Sequence, residues 1–445
     1  MRSFSIFDAA LAAGGRYVGP EELKETMITG VVIDNRKVTG GELFVALKGE
    51  RFDAHQFIPA AMAAGAACAL SAKPLEAHVP HILVEDTQAA FQKLAGWYKA
   101  GFGVKTVGIT GSVGKTTTKE MVAAVLEQSF CTLKSAGNLN NQTGVPQNLL
   151  RLEEQHQAAV IEMGTNHFGE IDSLAAMVRP DICLYTNIGD SHIEFLGSRE
   201  GILQAKCEML PHMQPGGTVV VNGDDALLVT LKEKRSDVIT YGTAAHCDLR
   251  AENIRPMGLE GSAFCVEGKE YFVPAPGSHM VLNALAAMAV GRIFGMDDEA
   301  IKAGIAAYQP ISGRMVIEKS DKLTVLNDVY NANPSSVKSS LSTLAYADGR
   351  RVAVLGDMLE LGEKSEDYHR QVGEYAKEQG IHLLLAVGPL SAATAKAAGD
   401  IALHFETQEQ LLEKLGALIL PGDTVLVKAS RGMHLELTAE ALMKL

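Results

Sequence analysis

The residues of this chain with the clearest chemical potential lie in one glycine-rich segment. Positions 108–117 read Gly-Ile-Thr-Gly-Ser-Val-Gly-Lys-Thr-Thr, with an apolar run before them and a helical pattern after them. Such a turn lets backbone N–H groups approach phosphate oxygens, and the N-terminus of the following helix favours negative charge. Lys115 would bridge the terminal phosphates of a nucleotide, and the Thr116 hydroxyl would bind Mg²⁺. The segment therefore predicts a phosphate-binding site.

The spacing of this segment departs from the strict G-x-x-x-x-G-K-[ST] pattern, because its glycines are at 108, 111 and 114. A structural turn that happens to contain Gly-Lys-Thr is the alternative, but the strand–turn–helix context favours phosphate binding. The sequence contains no Asn-Lys-x-Asp segment of the kind that reads guanine, so ATP is the predicted nucleotide. The predicted nucleotide-binding residues of the loop are Gly111, Ser112, Val113, Gly114, Lys115, Thr116 and Thr117.

Further candidates follow other apolar runs. Glu162 ends the run 158–162, and a carboxylate at a strand end beside a phosphate loop suits Mg²⁺, although an ordinary strand-end glutamate has the same pattern. His192 lies in Thr-Asn-Ile-Gly-Asp-Ser-His-Ile-Glu at 186–194, after the next such run, which favours a role in the same site. Lys206 lies in the helical stretch 201–208, where its chemistry alone predicts an exposed lysine.

Two polar clusters are rich in asparagine. The segment 137–146 contains Asn138, Asn140 and Asn141, and turn chemistry explains it as readily as contacts to phosphate or to metal-bound water. The segment 327–336 reads Asn-Asp-Val-Tyr-Asn-Ala-Asn-Pro-Ser-Ser. Turns and helix caps account for part of it, but not readily for an aspartate, a tyrosine and three asparagines together.

The elements that must position these residues alternate between strands and helices. Continuous apolar runs predict strands buried on both faces at 106–110, 158–161, 182–186, 218–221, 352–355, 383–387 and 424–427. Helical patterns such as 117–128 and 283–294 fall between them, so the fold class is α/β with mostly parallel sheets. Short alternating runs at 237–273 predict an antiparallel patch. Breaks at 99–103 and 309–313 predict domains at 1–100, 101–312 and 313–445.

Composition excludes several classes of protein. Hydrophobic residues make up 47% of the 445 and charged residues 21%, which is too apolar for a disordered chain. The charge sum of 40 − 53 = −13 disfavours a surface for nucleic acid or anionic lipid. Six cysteines without a C-x-x-C pair indicate reduced thiols, and no secretory h-region or membrane-length apolar stretch is visible. We expect a cytoplasmic protein without membrane insertion.

Taken together, the motifs resemble the Mur ligase family of ATP-dependent amide-bond-forming enzymes, in order and over nearly the whole chain. The matching segments are 114–117, 137–146, 162, 187–194, 205–208, 277–287 and 313–314. The resemblance implies a three-domain architecture with a small N-terminal α/β domain that binds the UDP substrate. A central P-loop ATPase-like parallel sheet would follow, and then a C-terminal Rossmann-like domain that closes over ATP and binds the dipeptide.

Three further segments resemble the branch of the family that adds D-alanyl-D-alanine to UDP-N-acetylmuramoyl-tripeptide. They are Asn-Asp-x-Tyr-Asn-Ala-Asn-Pro at 327–334, Leu-Gly-Asp-Met-Leu-Glu-Leu-Gly at 355–362 and Lys-Ala-Ser-Arg-Gly-Met-x-Leu-Glu at 428–436. This resemblance implies an acyl-phosphate intermediate and a place in cytoplasmic peptidoglycan precursor synthesis. The alternatives are another ligase of the family, tripeptide-forming or folate-extending, and a P-loop switch that hydrolyses ATP without ligation.

The resemblance also implies a role for individual residues. Lys115, Glu162, His192 and a carbamylated Lys206 would be catalytic, and two Mg²⁺ ions would be held by Thr116, Glu162, His192 and Lys206. ATP would contact Asn283, Arg314, Asp328, Tyr330 and Asn331 in addition to the loop. The substrate-binding candidates are Asn35, Arg36, Asn138, Asn140, Asn141, Asn333, Asp357 and Arg431. Asn35 stands where serine is usual, which weakens the inferred uridine contact. A monomer is expected.

Overall fold

A computed structural model describes residues 1–49 and 52–445 of the chain. Three main β-sheets follow one another along the sequence, and helices cover their faces. The central sheet has seven strands in the order β14-β13-β12-β11-β8-β10-β9, and all neighbouring pairs are parallel. Its strands are β8 (Lys105–Thr110), β9 (Thr132–Lys134), β10 (Ala158–Glu162), β11 (Ile182–Tyr185), β12 (Thr218–Asn222), β13 (Val238–Gly242) and β14 (Leu249–Arg250).

The helices of the central region connect these parallel strands and bury both faces of the sheet. They are α4 (Lys115–Leu126), α5 (Gly144–Leu149), α6 (Glu170–Val178), α7 (Ile193–Leu196), α8 (Arg199–Cys207), α9 (Thr230–Lys234), α10 (Ser278–Ile293) and α11 (Asp298–Ala306). Strands buried on both faces need continuous apolar sequence, which is why the predicted strands at 106–110, 158–161, 182–186 and 218–221 are confirmed.

The prediction for 237–273 is right in part. Its second half forms an antiparallel sheet of β15 (Glu252–Pro256), β16 (Ser262–Val266) and β17 (Lys269–Val273). Its first half is different, because β13 and β14 extend the parallel central sheet. The short alternating runs predicted the wrong kind of sheet here. The edge strand β14 has only two residues, one buried and one exposed, so it shows the alternation expected of an antiparallel strand.

The N-terminal region contains a five-stranded sheet in the order β2-β7-β6-β5-β4 and a two-stranded one of β1 and β3. Its strands are β1 (Phe4–Ser5), β2 (Arg16–Val18), β3 (Met27–Ile28), β4 (Gly30–Val32), β5 (Glu42–Val45), β6 (Cys68–Ser71) and β7 (His81–Leu83); its helices are α1 (Ile6–Ala13), α2 (Ile58–Ala63) and α3 (Thr87–Ala100). The long helix α3 packs on α5 and α6, so one apolar core runs from this region into the central sheet.

The C-terminal region is built on a six-stranded sheet in the order β18-β19-β23-β20-β21-β22, with β18 antiparallel at one edge. Its strands are β18 (Val316–Lys319), β19 (Thr324–Asn327), β20 (Arg351–Gly356), β21 (Leu383–Val387), β22 (Ala402–Phe405) and β23 (Thr424–Lys428). Its helices are α12 (Pro334–Leu344), α13 (Ser365–Glu378), α14 (Ala392–Ala398), α15 (Gln408–Leu418) and α16 (Glu436–Leu442). The predicted strands at 352–355, 383–387 and 424–427 are confirmed.

This C-terminal sheet has its own apolar core on each face. Across residues 1–49 and 52–445, the helices are each too short or too polar to span a bilayer.

Helix α11 supports the helix that follows the phosphate loop by packing against it at a glycine. A methyl group on Gly304 would lie 2.4 Å from Val125 Cα of α4. We expect Gly304→Ala to lower the free energy of unfolding by about 1–3 kcal/mol, because backbone atoms cannot yield as a side chain can. Chemical denaturation measures this change.

The matched control is Gly416→Ala in α15, where the new methyl would meet only Leu445 at 3.7 Å. This variant should be neutral or more stable by up to about 1 kcal/mol, since alanine favours helix. Equal effects of the two substitutions would contradict the packing argument.

Candidate active site

A cleft of about 870 Å³ lies where the carboxyl edge of the central sheet faces the C-terminal region. Its floor comes from the loops that follow β8, β9, β10 and β11, and from the first turns of α4 and α10. Its roof comes from residues between 310 and 340 together with Lys428. Since parallel strands all end at the same edge, the polar residues that follow them in sequence meet here.

The glycine-rich loop between β8 and α4 is fixed by the loop after β11. Asn187 accepts from the Ser112 N–H through its carbonyl at 3.0 Å and from the Val113 N–H through its side chain at 2.9 Å. The Thr186 hydroxyl donates to the Val113 carbonyl at 2.6 Å. A Cβ on Gly111 would lie 1.9 Å from that hydroxyl oxygen, so only glycine fits at this position. Ser112, Val113, Gly114, Lys115, Thr116 and Thr117 line the cleft.

Helix α4 begins at Lys115 directly after Gly114, whose φ of 82° turns the chain into the helix. No side chain caps this end, so its first N–H groups are free to bind an anion. Lys115 Nζ donates to the Gly111 carbonyl at 2.8 Å, across the loop. Loss of hydration lowers the pKa of Lys115, Glu162 opposes that shift, and Arg314 adds to it. The loop, the helix end and the ammonium together form a site for phosphate groups.

Glu162, at the end of β10, is buried beneath the first turn of α4. Its Oε1 accepts from the Thr116 hydroxyl at 3.1 Å and from the Asn140 side chain at 2.7 Å. Its Oε2 is buried and has no hydrogen-bond partner within the described residues. An unpartnered carboxylate oxygen next to a threonine hydroxyl is the arrangement that a Mg²⁺ ion bound to phosphate would complete.

His192 precedes helix α7 in a left-handed conformation, with φ of 62°. Burial lowers its pKa to about 4, and the charges of Lys115 and Lys206 add to the effect, so the imidazole is neutral at pH 7. Its Nδ1 is buried without a hydrogen bond to any part of the chain described here, and the Glu360 carboxylate is 3.5 Å away. A neutral imidazole with a free nitrogen can act as a metal ligand.

Lys206 is buried, so the prediction of an exposed helix lysine is wrong. Its side chain is 3% exposed, and loss of hydration together with the charge of Lys115 lowers its pKa well below the usual value. Nearby in the chain, Glu208 ties the end of α8 to the start of α6, because its carboxylate accepts from the Gly169 N–H at 2.8 Å. Lys206 does not itself line the cleft.

The asparagine loop after β9 divides into inner and outer residues. Asn140 and Asn141 line the cleft, and Asn140 binds Glu162 as described. Asn141 accepts from the Gly144 N–H at 2.8 Å, which is a turn contact. Asn138 is exposed and lies outside the cleft.

Another buried lysine, Lys428, holds Asp328 in the roof of the cleft. Asp328 accepts from Lys428 Nζ at 2.6 Å and from the Ser340 hydroxyl at 2.7 Å. The guanidinium of Arg314 lies 3.9 Å above the ring of Tyr330 and borders the cleft. Asn331 and Asn333 border it too, and Asn333 donates to Ser191 at 3.0 Å, across to the floor.

Asn283, at the floor, accepts from the Thr118 hydroxyl at 3.0 Å. Four other candidates lie outside the cleft lining: Asn35, Arg36, Asp357 and Arg431. Asn35 and Arg36 belong to an N-terminal turn in which Arg36 is paired with Asp34 at 2.8 Å. Asp357 is buried and accepts from both the N–H and the hydroxyl of Ser391 at 2.7 Å. Arg431 is exposed, 5.6 Å from the Tyr330 ring.

Sequence reasoning missed two groups that shape the site. Lys428 lies at a strand end, where the apolar run 424–427 could have drawn attention to it. Arg199 donates to the Ile188 carbonyl at 2.6 Å and fixes the loop that bears His192, but a helix arginine gives no sequence signal. Within 1–49 and 52–445, no three His, Cys, Asp or Glu side chains converge on a possible metal position.

Comparison with known families covers most of the chain. Residues 27–99 match the Mur ligase family catalytic domain, residues 109–291 the Mur ligase middle domain, and residues 313–431 the Mur ligase glutamate ligase domain. The chain belongs to the Mur ligase family. Its P-loop fold, its three sheets and the cleft between the second and third are those of an ATP-dependent ligase of this family.

Individual relatives narrow the comparison. The UDP-N-acetylmuramoyl-tripeptide–D-alanyl-D-alanine ligase of Escherichia coli (strain K12) is 40% identical over 424 residues, covering 93% of each chain. The ligase of the same name from Bacillus subtilis (strain 168) is 38% identical over 429 residues, also 93% of each. A crystal structure of MurF from Acinetobacter baumannii superposes with a TM-score of 0.94 at 32% identity over 100% of both chains.

A MurF ligase from Thermotoga maritima has been solved in complex with ADP. It superposes with a TM-score of 0.85 at 27% identity, over 93% of this chain and 97% of that one. A MurF ligase of this fold thus binds an adenine nucleotide.

The close approach of Thr186 to Gly111 makes the phosphate loop sensitive to a single methyl group. We expect Gly111→Ala to weaken ADP binding tenfold or more, about 1.4 kcal/mol, because the loop must shift to admit the Cβ. Isothermal titration with ADP measures the change. An ADP affinity of Gly111→Ala equal to that of the unsubstituted protein would contradict this reading.

Proposed function

We propose that this protein joins D-alanyl-D-alanine to UDP-N-acetylmuramoyl-tripeptide, with ATP converted to ADP and phosphate, in the synthesis of peptidoglycan precursors. The observation that carries the proposal is the composite cleft, in which the phosphate loop and Glu162 face Arg314 and Asn333 of another sheet. The name shared by the relatives over 93% of the chain supports the choice of substrates.

The reaction has to bring two anions together. The terminal carboxylate of the tripeptide attacks the γ-phosphorus of ATP, an acyl phosphate forms and ADP leaves. The amine of the dipeptide then attacks the acyl carbon, a tetrahedral intermediate forms, and phosphate departs as the amide bond is made. Lys115 and the free N–H groups of α4 stabilise the phosphate charge in both steps.

Thr116 and Glu162 would hold one Mg²⁺ ion, and His192 with a carbamylated Lys206 a second; bound there, the ions would screen the phosphates and polarise the transferring group. The buried, unpartnered oxygen of Glu162 and the free Nδ1 of His192 support this assignment. Both groups are fixed by neighbouring elements, so they need little reorganisation on binding.

The environment of Lys206 favours carbamylation. Only the neutral amine attacks carbon dioxide, and burial together with the charge of Lys115 lowers the pKa of Lys206, which favours that neutral form. The amine nitrogen forms a bond to the carbon of carbon dioxide and releases a proton. The product is an anionic carbamate, which removes the repulsion between Lys206 and Lys115.

The roof of the cleft would complete the nucleotide site and exclude water from the acyl phosphate. We assign Arg314 to the phosphates, Asn283, Tyr330 and Asn331 to the nucleoside, and Asp328 to positioning through Lys428. Hydrogen bonds of Asn333 with Ser191 and of Ser339 with His279 already join roof to floor.

The remaining assignments concern the two peptide substrates. Asn35 and Arg36 would serve the uridine end within domain 1–100, and Asn138, Asn140 and Asn141 the muramoyl peptide in domain 101–312. We assign Asn333 and Arg431 of domain 313–445 to D-alanyl-D-alanine. Asp357 accepts a hydrogen bond from Ser391 and would act by holding the loop after β20 in place. We propose a cytoplasmic monomer.

The decisive assay is phosphate release from ATP and Mg²⁺ with purified UDP-N-acetylmuramoyl-tripeptide. We expect release to require both that substrate and D-alanyl-D-alanine, with a UDP-linked pentapeptide found by mass spectrometry. Release that ignores the dipeptide would favour a different acceptor within the family. Release that ignores both would favour the ATP-hydrolysing switch and overturn the proposal.

Carbamylation of Lys206 is tested separately. Protein equilibrated with carbon-13 bicarbonate should show a carbamate signal by nuclear magnetic resonance, and removal of carbon dioxide should abolish ligase activity reversibly. Lys206→Met should lose both. Lys99, also buried and with a pKa lowered by lost hydration, is the control: Lys99→Met should keep the signal. A signal retained in Lys206→Met would refute the assignment.

A further inference from the structure

Lys119 is a fully buried cation that the proposed chemistry does not use. It lies on α4 one turn after Lys115, and its side chain is 0% exposed. Burying an ammonium group is costly unless each of its donors finds an acceptor. Its Nζ donates to the carbonyls of Ser135 at 2.8 Å and Gly137 at 3.1 Å, and it lies 2.9 Å from Glu120.

The two carbonyls belong to the start of the asparagine loop that follows β9. Gly137 has a φ of 51°, and Ser135 continues the pairing of β9 with β10, because its N–H donates to the Val160 carbonyl at 3.0 Å. Asn148, also 0% exposed, binds the next part of the loop, accepting from the Ala136 N–H at 2.9 Å and donating to the Leu139 carbonyl at 2.7 Å. The backbone of the loop is therefore held from beneath by two buried side chains.

The same loop reaches Glu162 by two routes. The Ser135 hydroxyl accepts from the Glu162 N–H at 3.0 Å, and the Asn140 side chain donates to Glu162 Oε1 at 2.7 Å. Lys119 binds the carbonyl of Ser135 and also that of Gly137, in the turn that leads to Asn140. The position of the Glu162 carboxylate thus depends on a cation that touches neither it nor the cleft.

We propose that Lys119 is a positioning residue for the magnesium site: its ammonium group holds the asparagine loop so that Ser135 and Asn140 orient the Glu162 carboxylate toward the phosphates. This inference rests on the proposed function, in which Glu162 and Thr116 hold Mg²⁺. Groups that orient a metal ligand from behind commonly change metal affinity about 10- to 100-fold when they are removed.

The test measures metal binding as well as activity. Mn²⁺ replaces Mg²⁺, and its binding to the protein with ADP is titrated by electron paramagnetic resonance, while ADP binding is measured in EDTA. We expect Lys119→Met, which keeps the length of the side chain, to weaken Mn²⁺ binding tenfold or more with ADP binding in EDTA unchanged. The Mg²⁺ concentration for half-maximal phosphate release should rise by a similar factor.

Two further variants keep the proposal falsifiable if Lys119→Met is poorly folded. Ser135→Ala removes only the acceptor of the Glu162 N–H and should weaken Mn²⁺ binding severalfold. Val122→Ala, on the same helix and also 0% exposed, is the control that lowers stability without touching the loop. It should leave Mn²⁺ binding unchanged.

Two results would overturn the inference and leave Lys119 a packing residue. One is a loss of Mn²⁺ affinity in Val122→Ala equal to that in Lys119→Met. The other is an unchanged Mn²⁺ affinity in both Lys119→Met and Ser135→Ala. Failure of the proposed function looks different. In that case phosphate release by the unsubstituted protein would not require UDP-N-acetylmuramoyl-tripeptide and D-alanyl-D-alanine, while the Mn²⁺ titrations of the variants would still decide whether Lys119 positions the metal site.

Discussion

Lys115, half-buried on the lining of the cleft, and Lys206, buried outside that lining, place two amines in one region, and much of the surrounding structure can be understood from this crowding of positive charge. Loss of hydration, and after it the charge of Lys115, lowers the pKa of both Lys206 and His192. One carboxylate, that of Glu162, acts on Lys115 from the other side. With the free N–H groups of α4 and the guanidinium of Arg314, the site carries an excess of positive potential that bound phosphates would satisfy.

The same charges explain why the site is assembled from strand ends. A buried cation is stable only where its neighbours are held in place, and loops after parallel strands are fixed at one end by the sheet. Asn187 and Thr186, which follow β11, fix the phosphate loop between β8 and α4. Glu162, the last residue of β10, accepts a hydrogen bond from Thr116 in the first turn of α4. Each side chain is thus positioned by an element far from it in sequence.

Much of this could be predicted from sequence, because the signals are local. The phosphate loop is a contiguous pattern, and Glu162 and His192 each follow an apolar run whose length and composition predict a buried strand. The burial of Lys206 could not be predicted. It depends on how α8 packs against the rest of the central region, where Glu208 accepts from the Gly169 N–H 39 positions earlier, and packing of this kind leaves no periodic signal.

Asp357 shows a second limit of reasoning from sequence. Its polar motif suggested a ligand contact, whereas its carboxylate is used by the N–H and hydroxyl of Ser391 in a turn after β21. A sequence shows that an aspartate is present in a loop, but not that a residue 34 positions later donates two hydrogen bonds to one of its carboxylate oxygens.

The connection at 307–315 has a consequence for how the cleft is completed. The chain crosses from the central sheet to the C-terminal sheet only here within the described residues, and the C-terminal sheet has its own cores. The central region, which supplies the floor, and the C-terminal region, which supplies the roof, are joined by a linker of a few residues. That linker sets the effective concentration of one region at the other. Assembly of the complete site is unimolecular, so dilution does not oppose it, and the few hydrogen bonds between floor and roof can suffice to hold it together.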